Sequence, residues 1–125
     1  MNKGIWLTAA EEKLAFIVWR EAPLTSPELV AFADRVLGWK KSTTYTVLKK
    51  LCGKGVFRNE NANVSVVLTQ HELRENQSRR YVEDMFGGSL PDFITSFIGG
   101  RKLTEEQADE LKRLIEAHKI GGGDA

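Results

Sequence analysis

The stretch WKKSTTYTVLKKLCGKG, residues 39–55, decides the fold. On a helical wheel of about 3.6 residues per turn, its mainly apolar face carries Thr44, Val47, Leu48 and Leu51. The opposite face carries Ser42, Tyr45, Thr46 and Lys49, with Thr43 and Lys50 along one border. The pattern predicts an amphipathic helix over about residues 42–54, with hydrogen-bonding groups and positive charge on its outer side.

Two capping boxes predict two helices before this one. The sequences TAAE at residues 8–11 and TSPE at residues 25–28 have the spacing at which a hydroxyl and a carboxylate satisfy unpaired amides at a helix start. Pro23 ends the first helix, and Gly38 ends the second in a position that favours the left-handed conformation. The basic stretch therefore belongs to the third helix of a series.

A β-hairpin is predicted after the third helix. Residues 56–58 and 64–68 are rich in strand-forming side chains, and the turn-forming residues 59–63 separate them. Three helices followed by a hairpin is the order of a winged helix-turn-helix domain, which we expect at residues 1–70. The fold class is therefore mainly α with a small β-hairpin.

The second part of the chain is predicted to be a helical dimerisation domain at residues 71–120, followed by a flexible tail at residues 121–125. Three short helices form a marginal core by themselves. Pairing with a second copy would bury their surplus apolar side chains, and packing back onto the first domain is the alternative. The residues expected at the dimer interface are Leu90, Phe93, Ile94, Phe97, Ile98, Leu111, Leu114 and Ile115.

The last helix opens with a capping box at residues 104–107. Its apolar side is expected to face inward or nearly so, with Ala108, Leu111, Leu114, Ile115 and His118.

Charge is unevenly distributed, although the net charge is only +1. Residues 1–70 carry ten Lys/Arg against six Asp/Glu, whereas residues 71–125 carry eight against eleven. Residues 35–58 hold seven basic side chains and no acidic one. Such a local excess is typical of a face that binds a polyanion, and a solvated basic surface is the alternative. The lack of acid on the outer face of the third helix favours nucleic acid.

The expected contacts with double-stranded DNA follow from side-chain chemistry. The residues expected at phosphates are Lys40, Lys41, Lys49, Lys50 and Arg58. Those expected at base edges or nearby phosphates are Ser42, Thr43, Tyr45 and Thr46. Two of these residues have a structural role as the alternative to DNA contact. Thr43 would support the start of the helix, and Tyr45 would pack on Trp39. Trp19 and Trp39 are expected in the core.

Composition argues against several other classes of protein. No apolar run is long enough to span a bilayer, and residues 1–7 lack the pattern of a secretion signal. A single cysteine, Cys52, permits no intrachain disulfide, so a cytoplasmic location is expected. We expect Cys52 to be a small buried hydrophobe, with a redox switch as the alternative. No metal-ligand, phosphate-loop or catalytic spacing exists, so we expect no metal, no cofactor and no enzymatic activity.

The order and spacing of several segments resemble the penicillinase-repressor family. These segments are Leu7 to Trp19, Thr25 to Leu29, Trp39 to Leu51, Lys54-Gly55, Phe86 to Leu90 and Leu103 to Leu111. The resemblance covers about residues 5–119 and implies a homodimeric repressor that binds a two-fold symmetric operator. A winged-helix module for protein–protein contact, without DNA binding, is the alternative function.

The resemblance also implies a way of lifting repression. In the best-known members of the family, a membrane sensor protease that detects β-lactam triggers a cut in the dimerisation domain. The corresponding bond here is Ser96–Phe97, with Ser in place of the Asn usual in those members. Copper-responsive relatives carry C-terminal cysteines, which this chain lacks.

The expected wing tip, residues 59–63, has no Lys or Arg, so few phosphate contacts are expected there beyond Arg58.

Overall fold

Six helices and three short strands make up the described chain, which in this computed structural model is residues 4–120. In chain order they are α1 (Ala9–Glu21), β1 (Leu24–Thr25), α2 (Ser26–Leu37), α3 (Lys41–Gly53), β2 (Phe57–Glu60), β3 (Asn63–Val66), α4 (Gln70–Phe86), α5 (Leu90–Ile98) and α6 (Glu105–Ala117). The strands form one antiparallel sheet in the order β1-β3-β2. The predicted class, a winged helix followed by a helical region, is confirmed. The tail predicted at residues 121–125 lies outside the described residues.

Capping boxes start four of the six helices, α1, α2, α4 and α6. Their N-caps are Thr8, Thr25, Thr69 and Thr104. In each, the threonine hydroxyl accepts from the backbone N–H three residues on, and the side chain there accepts from the threonine N–H. The box at Thr69 was not predicted, and it starts α4 at Gln70, one residue before the expected position. Gly38 ends α2 with a φ of 70°, as its position predicts.

The predicted hairpin boundaries are wrong by one or two residues. The strands reach Glu60 and resume at Asn63, so that only Asn61 and Ala62 form the turn, with φ of 50° and 64°. A two-residue turn with both φ positive matches the twist of the flanking strands. The polar composition favoured a longer loop, but pairing with β3 outweighs weak strand propensity. The short strand β1, which pairs with Val64 and the residue before it, was not predicted.

The core of the winged-helix unit lies between α1, α2, α3 and the sheet. Thr44, Val47, Leu48 and Leu51 are buried, as the helical wheel predicts. The Trp19 ring packs edge-on against Phe57 at a centroid distance of 5.6 Å, and its Nε1–H donates to the Leu68 carbonyl at 2.9 Å. Trp39 is half-buried against the same core. Both tryptophans therefore have the structural role expected of them.

The first half of α4 is joined to the winged-helix unit. The Ile5 N–H donates to Asn76 Oδ1 at 3.0 Å, and Gln77 Nε2 donates to the Ile5 carbonyl at the same distance. Leu73, on the same helix, is buried. The N-terminal segment therefore bridges the domain boundary that the sequence places at residues 70 and 71.

The helices α5 and α6 differ in how they pack. Phe93 of α5 lies 5.6 Å from Phe86 and 6.2 Å from Tyr81, measured between ring centroids, so an aromatic cluster holds α5 on α4. On α6 only Ala108 is half-buried, and all other side chains are exposed. The expected inward orientation of Leu111, Leu114, Ile115 and His118 is therefore wrong for the single chain. Apolar periodicity predicts which side chains share a face, but it does not say whether the same chain covers them.

A partly buried ion pair joins the start of α1 to the end of α3. Glu11 is only 2% exposed, and its Oε1 accepts from Lys54 Nζ at 2.6 Å and from the Thr8 N–H at 2.8 Å. Lys54 Nζ also donates to the Trp6 carbonyl at 2.8 Å. Burial acts to raise the pKa of Glu11, but the hydrogen bonds from Lys54 and Thr8 outweigh it and lower the pKa below its ordinary value. The charged carboxylate is thus the stable form in the fold.

We expect Glu11→Gln to lower the free energy of unfolding at pH 7 by about 2 kcal/mol, because Lys54 loses its charged partner while an acceptor for Thr8 remains. Urea unfolding followed by circular dichroism measures this change. The matched control is Glu12→Gln at the exposed neighbouring position, which should stay within about 0.5 kcal/mol of the wild type.

The same pair predicts a pH dependence. Because folding lowers the pKa of Glu11, its stabilisation is present above the ordinary value of 4.5 and is lost as the pH falls through the folded value. The stabilities of the wild type and Glu11→Gln should therefore converge in acid. A difference between them that persists unchanged at low pH would contradict this assignment.

Candidate nucleic-acid interface

The outer face of α3 is basic and exposed. Its inner side is anchored by Val47, Leu48 and Leu51 in the core, which turns the other side outward. The predicted contact residues that are exposed there are Lys40, Lys41, Ser42, Thr43, Thr46, Lys49 and Lys50. The structure therefore brings seven of the nine predicted DNA-contact residues together on one helix and its N-cap.

The start of α3 differs from that of every other described helix. Its N-cap residue is Lys40, which makes no side-chain capping hydrogen bond, and its first turn holds no acidic residue. The other five helices have a capping Ser or Thr and at least one acid in the first turn. Unneutralised amides at a helix N-terminus favour an anion nearby, so the backbone adds to the positive potential of the lysines.

Tyr45 is placed differently from its neighbours on α3. Its ring is half-buried against the core, and its hydroxyl donates to Ser26 Oγ on α2 at 3.3 Å. The sequence placed it on the outer face and gave packing on Trp39 as the alternative, but neither description includes Ser26. At the start of the helix, the Thr44 hydroxyl donates to the Lys40 carbonyl at 3.2 Å, while the Thr43 side chain is exposed.

The seven basic residues of segment 35–58 divide into two groups. Lys54 is turned inward toward Glu11, and Arg58 forms an exposed ion pair with Glu60 at 3.3 Å. The Arg35 guanidinium lies over the Phe32 ring, 4.9 Å from its centroid. Within residues 4–120, Arg35 makes no ion pair, and neither do the remaining four basic residues of the segment, Lys40, Lys41, Lys49 and Lys50. Within segment 35–58, four of the five basic residues without an ion pair therefore lie on α3 and its N-cap.

A second candidate surface is apolar and lies on the C-terminal helices. Of the five interface residues predicted on α5, Phe93 and Ile98 are half-buried, while Leu90, Ile94 and Phe97 are exposed. The side chain of Phe97 is 71% exposed, although its ring lies 6.0 Å from that of Phe93. Leu111, Leu114 and Ile115 of α6 are exposed as well. Large apolar side chains left exposed on a helix are typical of an interaction site.

Other kinds of site find little support in the described part of the chain. Residues 4–120 contain no group of three His, Cys, Asp or Glu side chains arranged to hold a metal ion. No helix in that range is long and apolar enough to cross a bilayer. Cys52 is half-buried, and burial raises the pKa of its thiol while a hydrogen bond with the Asn59 backbone partly offsets the shift. A raised pKa is typical of an unreactive thiol.

The fold and the exposed basic helix define the class of protein, a winged helix-turn-helix protein with an appended helical region. A model of the penicillinase repressor family matches residues 7–117. The chain therefore belongs to the penicillinase repressor family, whose members are transcriptional repressors. This confirms the resemblance found in the sequence.

Two relatives span most of the chain. One is the penicillinase repressor of Bacillus licheniformis, 22% identical over 123 residues that cover 95% of this chain and 96% of that protein. The other is an uncharacterized 16.5 kDa protein in the ptsI 3′ region of Latilactobacillus sakei, 23% identical over 115 residues that cover 89% and 79% of the two chains.

We expect Cys52 to react slowly with iodoacetamide at neutral pH, because its raised pKa keeps little thiolate present. The rate measured against pH should still be rising at the ordinary pKa of 9.0. The same protein in denaturing urea is the control, and its exposed thiol should react faster. A folded protein that reacts as fast as the denatured one would contradict this expectation and favour a redox role.

Proposed function

We propose that the protein represses transcription by binding a two-fold symmetric DNA operator as a homodimer. The observation that carries the proposal is the outer face of α3, where four lysines without ion-pair partners surround exposed hydroxyl side chains. A helix with one buried face and one basic, hydrogen-bonding face suits the major groove. Membership of a repressor family supports the same function.

The residues of α3 divide into two roles in this proposal. Phosphates are contacted by the four lysines Lys40, Lys41, Lys49 and Lys50. Arg58 of the wing makes a further phosphate contact when its ion pair with Glu60 is broken. The hydroxyls of Ser42, Thr43 and Thr46 contact base edges or phosphates. Because α3 carries no Arg, Asn or Gln to read a base through two hydrogen bonds, part of the specificity comes from DNA shape and from the spacing of two half-sites.

We expect Lys49→Ala and Lys50→Ala each to reduce affinity for DNA and to reduce the slope of log affinity against log salt by about 0.9, the value for one phosphate contact. Fluorescence anisotropy with a duplex from upstream of the chain's own gene measures both quantities. Lys13→Ala removes the same charge from the exposed side of α1 and should leave both nearly unchanged.

Two outcomes separate this function from its alternative. A wild-type protein that retains no duplex even at low salt would contradict DNA binding and favour a module for protein–protein contact. Equal effects of Lys13→Ala and Lys49→Ala would place the contact surface elsewhere on the protein.

The homodimer is supported by the exposed apolar faces of α5 and α6. Burying a side chain such as Phe97 or Ile115 contributes about 2 kcal/mol each, which an isolated chain does not gain there. A dimer also explains tight binding by two small domains, because tethering them raises the effective concentration at the second half-site and the avidity by about 10²–10⁴-fold.

We expect Phe97→Asp to give a folded monomer with reduced affinity for the operator, because a carboxylate cannot be buried in the apolar interface. Sedimentation velocity measures the oligomeric state, and circular dichroism checks the fold. Thr95→Asp places the same charge on the other side of α5 and should remain dimeric. A Phe97→Asp protein that stays dimeric and binds normally would contradict the assigned interface.

Release of repression is proposed to act through the same helices. Ser96 and Phe97, the bond implied by the family resemblance, are both exposed near the end of α5. A cut there by a membrane sensor protease separates α6 from the winged-helix unit. The DNA-contact helix remains intact, but the tether that supplies the avidity is lost.

A further inference from the structure

Ser26, the first residue of α2, lies where three elements meet. It is 4% exposed, and its two polar groups face different partners. Its N–H donates to the Ala62 carbonyl in the turn of the hairpin at 2.8 Å, and its Oγ accepts from the Tyr45 hydroxyl of α3 at 3.3 Å. One buried residue thus contacts both the wing and the DNA-contact helix.

The connection to the wing is made entirely by the backbone. Beside the bond from Ser26 to Ala62, strand β1 pairs Thr25 with Asn63 on the other side of the turn. Thr25 is also the N-cap of α2 and exchanges hydrogen bonds with Glu28. The tip of the hairpin is therefore held at the N-terminus of α2, and substitution of the Ser26 side chain leaves this connection in place.

The connection to α3 depends on two hydroxyl groups. Tyr45 lies one turn from Ser42 and from Lys49, because residues three and four apart are neighbours along a helix. Both of those residues are exposed on the proposed DNA face. An inward hydrogen bond at Tyr45 restrains the rotation of α3 about its axis, and this rotation sets the direction in which the two neighbours point.

We propose that Ser26 is a positioning residue for operator recognition, which sets the orientation of α3 relative to the wing through its hydrogen bond with Tyr45. This inference rests on the proposed function. It also changes the role assigned to the Tyr45 hydroxyl, which acts through Ser26 and does not contact DNA. Orientation matters for specific binding, because base contacts require alignment that phosphate contacts do not.

Two conservative substitutions test the proposal. Ser26→Ala removes the hydroxyl and keeps the backbone bond to Ala62, while Tyr45→Phe removes the hydroxyl and keeps the ring. We expect each to reduce operator affinity about fivefold, the effect of one hydrogen bond. Affinity for an unrelated duplex of equal length should be unchanged, because it depends on phosphate contacts. The double variant should lose no more than either single variant, since both substitutions remove the same bond.

Anisotropy titrations with a footprinted operator and with the unrelated duplex measure these effects, and thermal unfolding of each variant is followed in parallel. The control is Ser42→Ala, at an exposed serine of α3. Its loss of operator affinity should multiply with the loss caused by Ser26→Ala. If the losses of affinity from Ser26→Ala and Tyr45→Phe multiply in the double variant, the inference is overturned and the Tyr45 hydroxyl is assigned to DNA. The inference is also overturned if the variants lose affinity equally for both duplexes and these losses parallel the decrease in melting temperature. The hydrogen bond would then have a purely structural role.

The proposed function fails in a different way. A wild-type protein that does not distinguish the operator from the unrelated duplex overturns operator recognition, and this inference with it. A wild type that prefers the operator, with Ser26→Ala indistinguishable from it, overturns only the role of Ser26.

Discussion

The burial of one side of α3 is the constraint on which the rest of the structure depends. Val47, Leu48 and Leu51 pack against α1 and α2, and each contributes about 2 kcal/mol by leaving water. Losing contributions of this size would remove much of the 5–15 kcal/mol by which folded domains are typically more stable than unfolded ones. Because a helix is rigid, burying these three side chains also forces the lysines on its other side into solvent. Stability and the proposed DNA contact are therefore consequences of the same packing.

Polar contacts then fix what apolar packing leaves adjustable. Glu11 and Lys54 hold the end of α3 against the start of α1, while Tyr45 and Ser26 hold its middle against α2. Apolar contacts tolerate small rotations of a helix, whereas a hydrogen bond between buried groups is lost when its geometry changes. The orientation of the basic face thus depends on a few directional bonds placed around a nondirectional core.

The helix order, the capping boxes and the buried face of α3 were predictable because they depend on neighbours three or four residues apart. The inward role of Lys54 was not, since Glu11 lies 43 residues away and nothing in the local sequence distinguishes this lysine from Lys50. The bond between Tyr45 and Ser26 spans 19 residues and was missed for the same reason. The short strand β1 exists only because β3 is beside it. The capping box at Thr69, by contrast, is a local feature, and the sequence TQHE at residues 69–72 is enough to predict it.

The sequence by itself determined that residues 39–55 form a helix with one apolar and one basic face, and that the C-terminal helices carry more apolar surface than they can bury. Periodicity and composition suffice for both statements, because each concerns side chains on a single element. Only the tertiary structure decided which basic residues of segment 35–58 remain free. Arg35 and the four lysines on α3 and its N-cap have no ion-pair partner within residues 4–120, whereas Lys54 pairs with Glu11 and Arg58 pairs with Glu60. For Lys54 the physical reason is that a charge is neutralised by what lies near it in space, and its partner Glu11 is 43 residues away along the chain.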